Sequence, residues 1–265
     1  MEDANVIEKT TADVTYYQQE GPGPALVLVH GNSSDHSVWS LTLPHLKGHA
    51  VVTIDLRGHG KSAWKRPPAY STADYADDIR TVIAALSLAD VVQVGHSNGA
   101  IAALHHALFA APKPRALVHI DIGAAPTPEQ IAYFRQRAGT VERTFPLDKL
   151  ASSMGAIDPT VPSDVFARYV EGLTRPVDGG VRLTLDPETY RSWQPADLWD
   201  ALPGLGRPIT VVRGAHSPVM TEADAERMLA LCPHARLVTL EGTGHFPMLG
   251  KPDAVAKIIL NAAER

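Results

Sequence analysis

Short runs of Val, Ile and Leu recur along the first half of the chain without alternation of apolar and polar positions. They are Ala25–Val29, residues 50–54, residues 91–94 and Ala116–Ile120. Unbroken apolar runs of this length predict strands buried on both faces of a parallel sheet. Helix-compatible stretches lie between them, notably residues 71–88, where Ser71 and Asp74 have capping-box spacing, and the Ala-rich residues 100–110. An earlier piece, residues 14–18, runs into Gly21-Pro22-Gly23-Pro24 and reads as an antiparallel edge strand ending in a turn. From residue 123 to 207 prolines become frequent, and the pattern predicts short helices, such as 128–138 and 163–173, separated by turns. Buried strands then resume at 208–213 and Ala235–Leu240, and Pro252–Ala263 forms a closing amphipathic helix. The expected fold is α/β, a doubly wound and mostly parallel sheet built from residues 1–122 and 208–265, with 123–207 as an insertion of short helices rather than a separate domain.

Composition narrows the function. At 265 residues and 45% hydrophobic, the chain can bury a sizeable core without disulfide staples. Lys+Arg 24 against Asp+Glu 29 leaves a net charge of −5 and no basic cluster, which argues against a nucleic-acid partner. No apolar run approaches the roughly 18 residues that cross a bilayer. Cys232 is the lone cysteine, so an internal disulfide is excluded and a reducing, cytoplasmic setting is expected. The acidic start, Met1-Glu2-Asp3-Ala4-Asn5, lacks the basic and apolar pattern of a secretion signal.

The candidate chemistry centres on Gly95-His96-Ser97-Asn98-Gly99, a G-x-S-x-G between a predicted strand and a predicted helix. Glycines at 95 and 99 allow a turn sharp enough to hold Ser97 in a strained conformation at the carboxyl end of the sheet. A serine hydroxyl needs a base to take its proton. His245, in the glycine-punctuated loop 241–247 after the last strand, returns to that same edge; His96, His105, His106 and His119 read as packing residues. Two backbone N–H groups must face the developing oxyanion. Asn98 supplies one and the loop His30-Gly31-Asn32-Ser33 the other, through the N–H of Asn32, whose side-chain amide either holds the loop or binds substrate. Gly60-Lys61-Ser62 is not a phosphate-binding loop, because position 55 is Asp where glycine is required.

Taken with His30-Gly31, residues 55–62, Asp197-Leu198-Trp199 and Gly244-His245-Phe246-Pro247, the elbow makes the chain resemble an α/β-hydrolase over essentially its whole length. The resemblance implies a serine hydrolase with a Ser, acid, His triad and a helical cap over the site. The sequence departs from the family pattern at the acid. Ser217 in Gly214-Ala215-His216-Ser217 stands where Asp or Glu is expected. Some members similar to zearalenone lactonase place the acid one strand earlier, which points to Asp121 here, with Glu222 and Asp224 next in line. The loop at 30–34 is similar to that of an acyl-homoserine lactonase.

The reading is therefore a carboxylic ester hydrolase with a leaning toward lactones, in which Ser97 attacks, His245 is the base and Asp121 orients it. It requires no metal and no cofactor. Trp193, Tyr133, Phe134 and Met154 are candidates to line the substrate pocket, and an aromatic, apolar lid would suit a bulky, poorly charged small molecule, an apolar ester or lactone. Two rivals remain at this stage. One is a cofactor-free dioxygenase of the same fold using a His/Asp base; the other is a non-catalytic small-ligand receptor.

Overall fold

The computed structural model describes residues 6–265; the acidic start that argues against a secretion signal lies outside them. In chain order the strands are β1 (Ile7–Thr11), β2 (Val14–Gln19), β3 (Ala25–Val29), β4 (Val51–Ile54), β5 (Val91–His96), β6 (Ala116–Ile120), β7 (Thr174–Val177), β8 (Gly180–Leu183), β9 (Ile209–Gly214) and β10 (Ala235–Leu240). The helices are α1 (Thr72–Ala85), α2 (Asn98–Phe109), α3 (Pro128–Val141), α4 (Leu147–Gly155), α5 (Ser163–Gly172), α6 (Glu188–Arg191), α7 (Glu222–Leu231), α8 (Pro247–Gly250) and α9 (Pro252–Ala263).

One eight-stranded sheet runs β1-β2-β4-β3-β5-β6-β9-β10. Pairing is antiparallel at β1–β2 and β2–β4 and parallel from there on. The expected doubly wound, mostly parallel α/β sheet is therefore present. Side chains of β3 alternate between its faces: Leu26 and Leu28 pack with Val255 and Ile259 of α9, Val27 and Val29 with Ile79 and Ile83 of α1. Both faces are covered, which is why the strand shows no polar alternation.

Three expectations at the margins need correction. The edge strand is β1, and β2 lies one place inside it; β1 is polar and almost wholly exposed, so it leaves no apolar run to detect. Strand β10 is not buried but half-exposed at the far edge. Between β6 and β9 the chain forms helices α3 to α6 as expected, and also an antiparallel hairpin, β7–β8, that the proline at 176 disguised. No helix among the described residues is long and apolar enough to cross a membrane.

Register places the site. Val29 of β3 pairs with Gly95 of β5, and Gly95 pairs with His119 of β6. The carboxyl ends of three adjacent strands are thus level, and the turns leaving them carry Asn32, Ser97 and Asp121. This edge is where open α/β sheets bind ligands.

Candidate active site

Ser97 has φ +52° and ψ −126°, a left-handed conformation that few side-chain-bearing residues adopt. The turn holds it there because α2 begins at once and because β3 presses against the elbow. A Cβ at Gly99 would lie 2.2 Å from the His30 carbonyl oxygen, so only glycine permits that approach. The Ser97 hydroxyl makes no capping bond to α2.

Asp121 also has positive φ, at +58°, in the turn after β6. His119 secures that turn by donating from Nε2 to the Ile122 carbonyl at 2.9 Å. Burial pushes His119 down to about 4, so it is a neutral structural donor. The Asp121 side chain is fully buried and accepts from three groups: the Gly214 N–H at 2.9 Å, the Ser217 hydroxyl, and His245 Nδ1 at 2.7 Å. Ser217, standing where the acid was expected, therefore donates to the carboxylate that sits one strand away. Its own oxygen accepts from the Val219 N–H at 3.0 Å.

The backbone around His245 is fastened on three sides. His96 Nε2 donates to the His245 carbonyl at 2.8 Å. Burial, followed by the charge of His245, keeps His96 well below the ordinary histidine range and so neutral. From the β6–β9 insertion, Thr160 Oγ1 accepts from the Gly244 N–H at 2.9 Å and Asp158 Oδ2 from the Phe246 N–H at 2.7 Å. A Cβ at Gly244 would lie 2.4 Å from the Asp158 carboxylate, which explains the glycine before the histidine. With Nδ1 bonded to Asp121, the ring leaves Nε2 for the cavity that both Ser97 and His245 line. Ser97 and His245 are not hydrogen-bonded to each other in this conformation, and such contacts commonly close only around substrate.

The loop after β3 is held by His30, which donates from Nδ1 to the Gly31 carbonyl at 2.7 Å and accepts from the Leu56 N–H at 3.0 Å. In a trans peptide the N–H points opposite the carbonyl. Tying the Gly31 carbonyl to His30 thus aims the Asn32 N–H away from that ring. Neither this N–H nor that of Asn98, the first residue of α2, bonds to another described group. The same loop is hooked to the insertion through Ser34 and Tyr169 at 2.8 Å and through Ser33 and Tyr190.

A cavity of about 720 Å³ opens over these groups. Asn32, Ser97, Asn98 and His245 line it from the sheet side, while Tyr133, Phe134, Met154 and Trp193, all picked out from sequence, line it from the insertion. Trp193 is buried, and its indole N–H, a donor only, bonds to Asn98 Oδ1 at 3.3 Å. Neither Glu222 nor Asp224 bonds to His245: both lie in the first turn of α7, where Glu222 is exposed and the half-buried Asp224 caps with Thr221. Asp35, His36 and Asp55 place possible metal-ligating atoms within 4.8 Å of one another. Asp55 already accepts from the His36 ring, the His36 N–H and the Lys61 N–H, which makes the group a structural knot.

Sequence reasoning passes over Asp158 and the anchoring roles of His30 and His96. Asp158 had a local signal, since Asp158-Pro159-Thr160 forms an Asx turn in which the Thr160 N–H donates to Asp158 Oδ1 at 3.1 Å. Replacing Asp158 by Ala would leave the Phe246 N–H and the Thr160 donors buried without an acceptor. The expected loss is on the order of 3 kcal/mol in urea unfolding, and a midpoint unchanged from the parent protein would contradict the clasp.

The chain matches the alpha/beta hydrolase family over residues 26–258. It is 27% identical over 250 residues to 2-(acetamidomethylene)succinate hydrolase of Mesorhizobium japonicum, covering 92% of this chain and 89% of that one. It is 28% identical over 251 residues to the esterase Rv0045c of Mycobacterium tuberculosis, covering 90% and 82% respectively. Among solved structures, E-2-(acetamidomethylene)succinate hydrolase superposes with a TM-score of 0.85 at 24% identity over 98% of this chain and 100% of that chain. With a family match that runs from β3 through the elbow and the histidine loop into α9, the chain belongs to the alpha/beta hydrolase family.

Proposed function

We propose that the protein is a carboxylic ester hydrolase working through an acyl-enzyme on Ser97. The observation that carries this reading is the 2.7 Å bond between the buried Asp121 carboxylate and His245 Nδ1, in a cavity that Ser97 shares. Named esterases among the relatives support it.

In the proposed sequence of steps, Ser97 Oγ attacks the ester carbonyl as its proton passes to His245 Nε2. Asp121 orients the ring and stabilises the imidazolium. The N–H groups of Asn32 and Asn98 hold the oxyanion of the tetrahedral intermediate. His245 then gives its proton to the departing alcohol, leaving the acyl group on Ser97. Water attacks that carbonyl while His245 takes its proton, and as the second tetrahedral intermediate collapses His245 returns the proton to Ser97 Oγ and the acid product leaves and ionises. The β6–β9 insertion acts as the cap, excluding water and shaping the acyl site. A lactone is an internal ester and passes through the same steps; placement of the acid after β6 resembles zearalenone lactonase.

The test is a panel of p-nitrophenyl esters and lactones of graded size, assayed in air and under nitrogen. Ester turnover of equal rate in both is expected. A requirement for dioxygen, or tight binding with no turnover of any member, would overturn the reading.

A further inference from the structure

The chain carries a net charge of −5, yet the cavity over Ser97 is lined by three cations, Arg137, Arg143 and Lys149, and by one acid, Glu129. All four belong to the insertion. Along α3, Glu129 and Arg137 are eight residues apart, about 12 Å at 1.5 Å per residue. Glu129 therefore stands well apart from Arg137 along the helix and does not neutralise it.

The two arginines have no carboxylate partner among the described residues. Within the insertion Arg191 pairs with Glu142 and Glu188 and Arg168 with Asp164, while Arg135, Arg175, Arg182 and Arg207 also have no carboxylate partner among the described residues; what sets Arg137 and Arg143 apart is that they line the cavity. Instead Arg137 lies over the Tyr133 ring at 5.1 Å and Arg143 over the Phe145 ring at 5.3 Å, and both rings also line the cavity. A guanidinium seated against an aromatic face keeps its N–H donors available for an anion. Free guanidinium edges at the rim of an apolar cavity match the planar, bidentate geometry of a carboxylate.

Building on the ester-hydrolase reading, we infer that the substrate is an ester whose acyl chain ends in a second, ionised carboxylate, held by Arg137 and Arg143 with Lys149 adding charge. The apolar stretch of such a chain passes Phe134, Met154 and Ile157, and its ester carbonyl reaches Ser97. Positive potential at the mouth also raises the encounter rate with an anion.

The experiment compares the mono-p-nitrophenyl ester of octanedioic acid with p-nitrophenyl octanoate, which matches it in length and lacks the charge. The anionic ester is expected to show a kcat/KM about tenfold higher, mainly through KM, with the advantage shrinking in high salt. In an Arg137→Gln/Arg143→Gln protein the ratio between the two esters should fall toward one. A ratio at or below one in the parent protein, or one unmoved by the double substitution, overturns the proposal. A second arm is independent of turnover: calorimetric titration of octanedioate into Ser97→Ala protein, with and without the two arginine substitutions. Binding weakened about tenfold by the substitutions supports the anion site even if neither ester is hydrolysed, an outcome that would count against the ester-hydrolase reading alone. Equal binding, or none, overturns the anion site even if both esters are turned over.

Discussion

The Ser97→Ala protein is expected to lose about 10⁵ to 10⁶-fold in kcat on a p-nitrophenyl ester while remaining folded. On the proposed route Ser97 Oγ forms the covalent bond, so removing the hydroxyl would close the two-step path. What survives is the slow attack of water in a cavity that still offers the Asn32 and Asn98 N–H groups, a residual worth roughly 10³ to 10⁴ over solution. Stability should hardly change, because the Ser97 hydroxyl does not cap α2 and the strained φ of +52° belongs to the turn in either protein. Steady-state kinetics together with thermal unfolding separates the two effects. A loss of only a few fold, with the unfolding temperature preserved, would move the nucleophile away from Ser97 and favour a His/Asp base acting without it.

Asp121→Asn is expected to lower kcat by about 10⁴-fold, the cost of presenting the wrong histidine tautomer. An amide in place of the carboxylate directs an N–H at His245 Nδ1, so the ring protonates at Nε2 and can no longer accept the serine proton. The Gly214 N–H would still find the oxygen at the Oδ1 position, whereas the Ser217 hydroxyl, which shares Oδ2 with His245, would have to turn and accept from the new amide; the backbone anchor of the turn survives the change. Glu222→Gln provides the control: the side chain is exposed on α7, and its loss should alter kcat by less than about twofold. The reverse pattern, with Asp121→Asn within a few fold of the parent and Glu222→Gln collapsed, would assign the acid to α7.

Much of the fold was legible because a strand covered on both faces cannot hide its apolar run. Ala25–Val29 and Ala116–Ile120 were read with their observed bounds for this reason. The failures lie where burial is slight. Strand β1, with sequence Ile-Glu-Lys-Thr-Thr, is held by ladder hydrogen bonds to β2, and its side chains face solvent. The β7–β8 hairpin likewise buries too little to mark its sequence.

The site follows the same division. Ser97 could be placed because its turn demands glycines within two residues on either side, a purely local requirement. Asp121 stood out only through the serine at 217, whose hydroxyl turns out to bond that very carboxylate. Asp158 escaped because its partner, the Phe246 N–H, is 88 residues away and nothing in the intervening chain signals the meeting. The Trp193–Asn98 bond joins the insertion to the elbow over a separation of 95 residues and was equally hidden. Local strain and paired absences can be read from a chain, whereas long-range polar contacts need the fold first.

The central claim, a covalent acyl intermediate on Ser97, is tested most directly by rapid acid quenching of a reaction with p-nitrophenyl acetate, followed by peptide mass spectrometry. The predicted result is an acetyl group on the peptide that contains Ser97, absent from the Ser97→Ala protein and more abundant when deacylation is slowed. Turnover of the ester with no acylated peptide at any quench time, or with the acetyl group on a different residue, would contradict it.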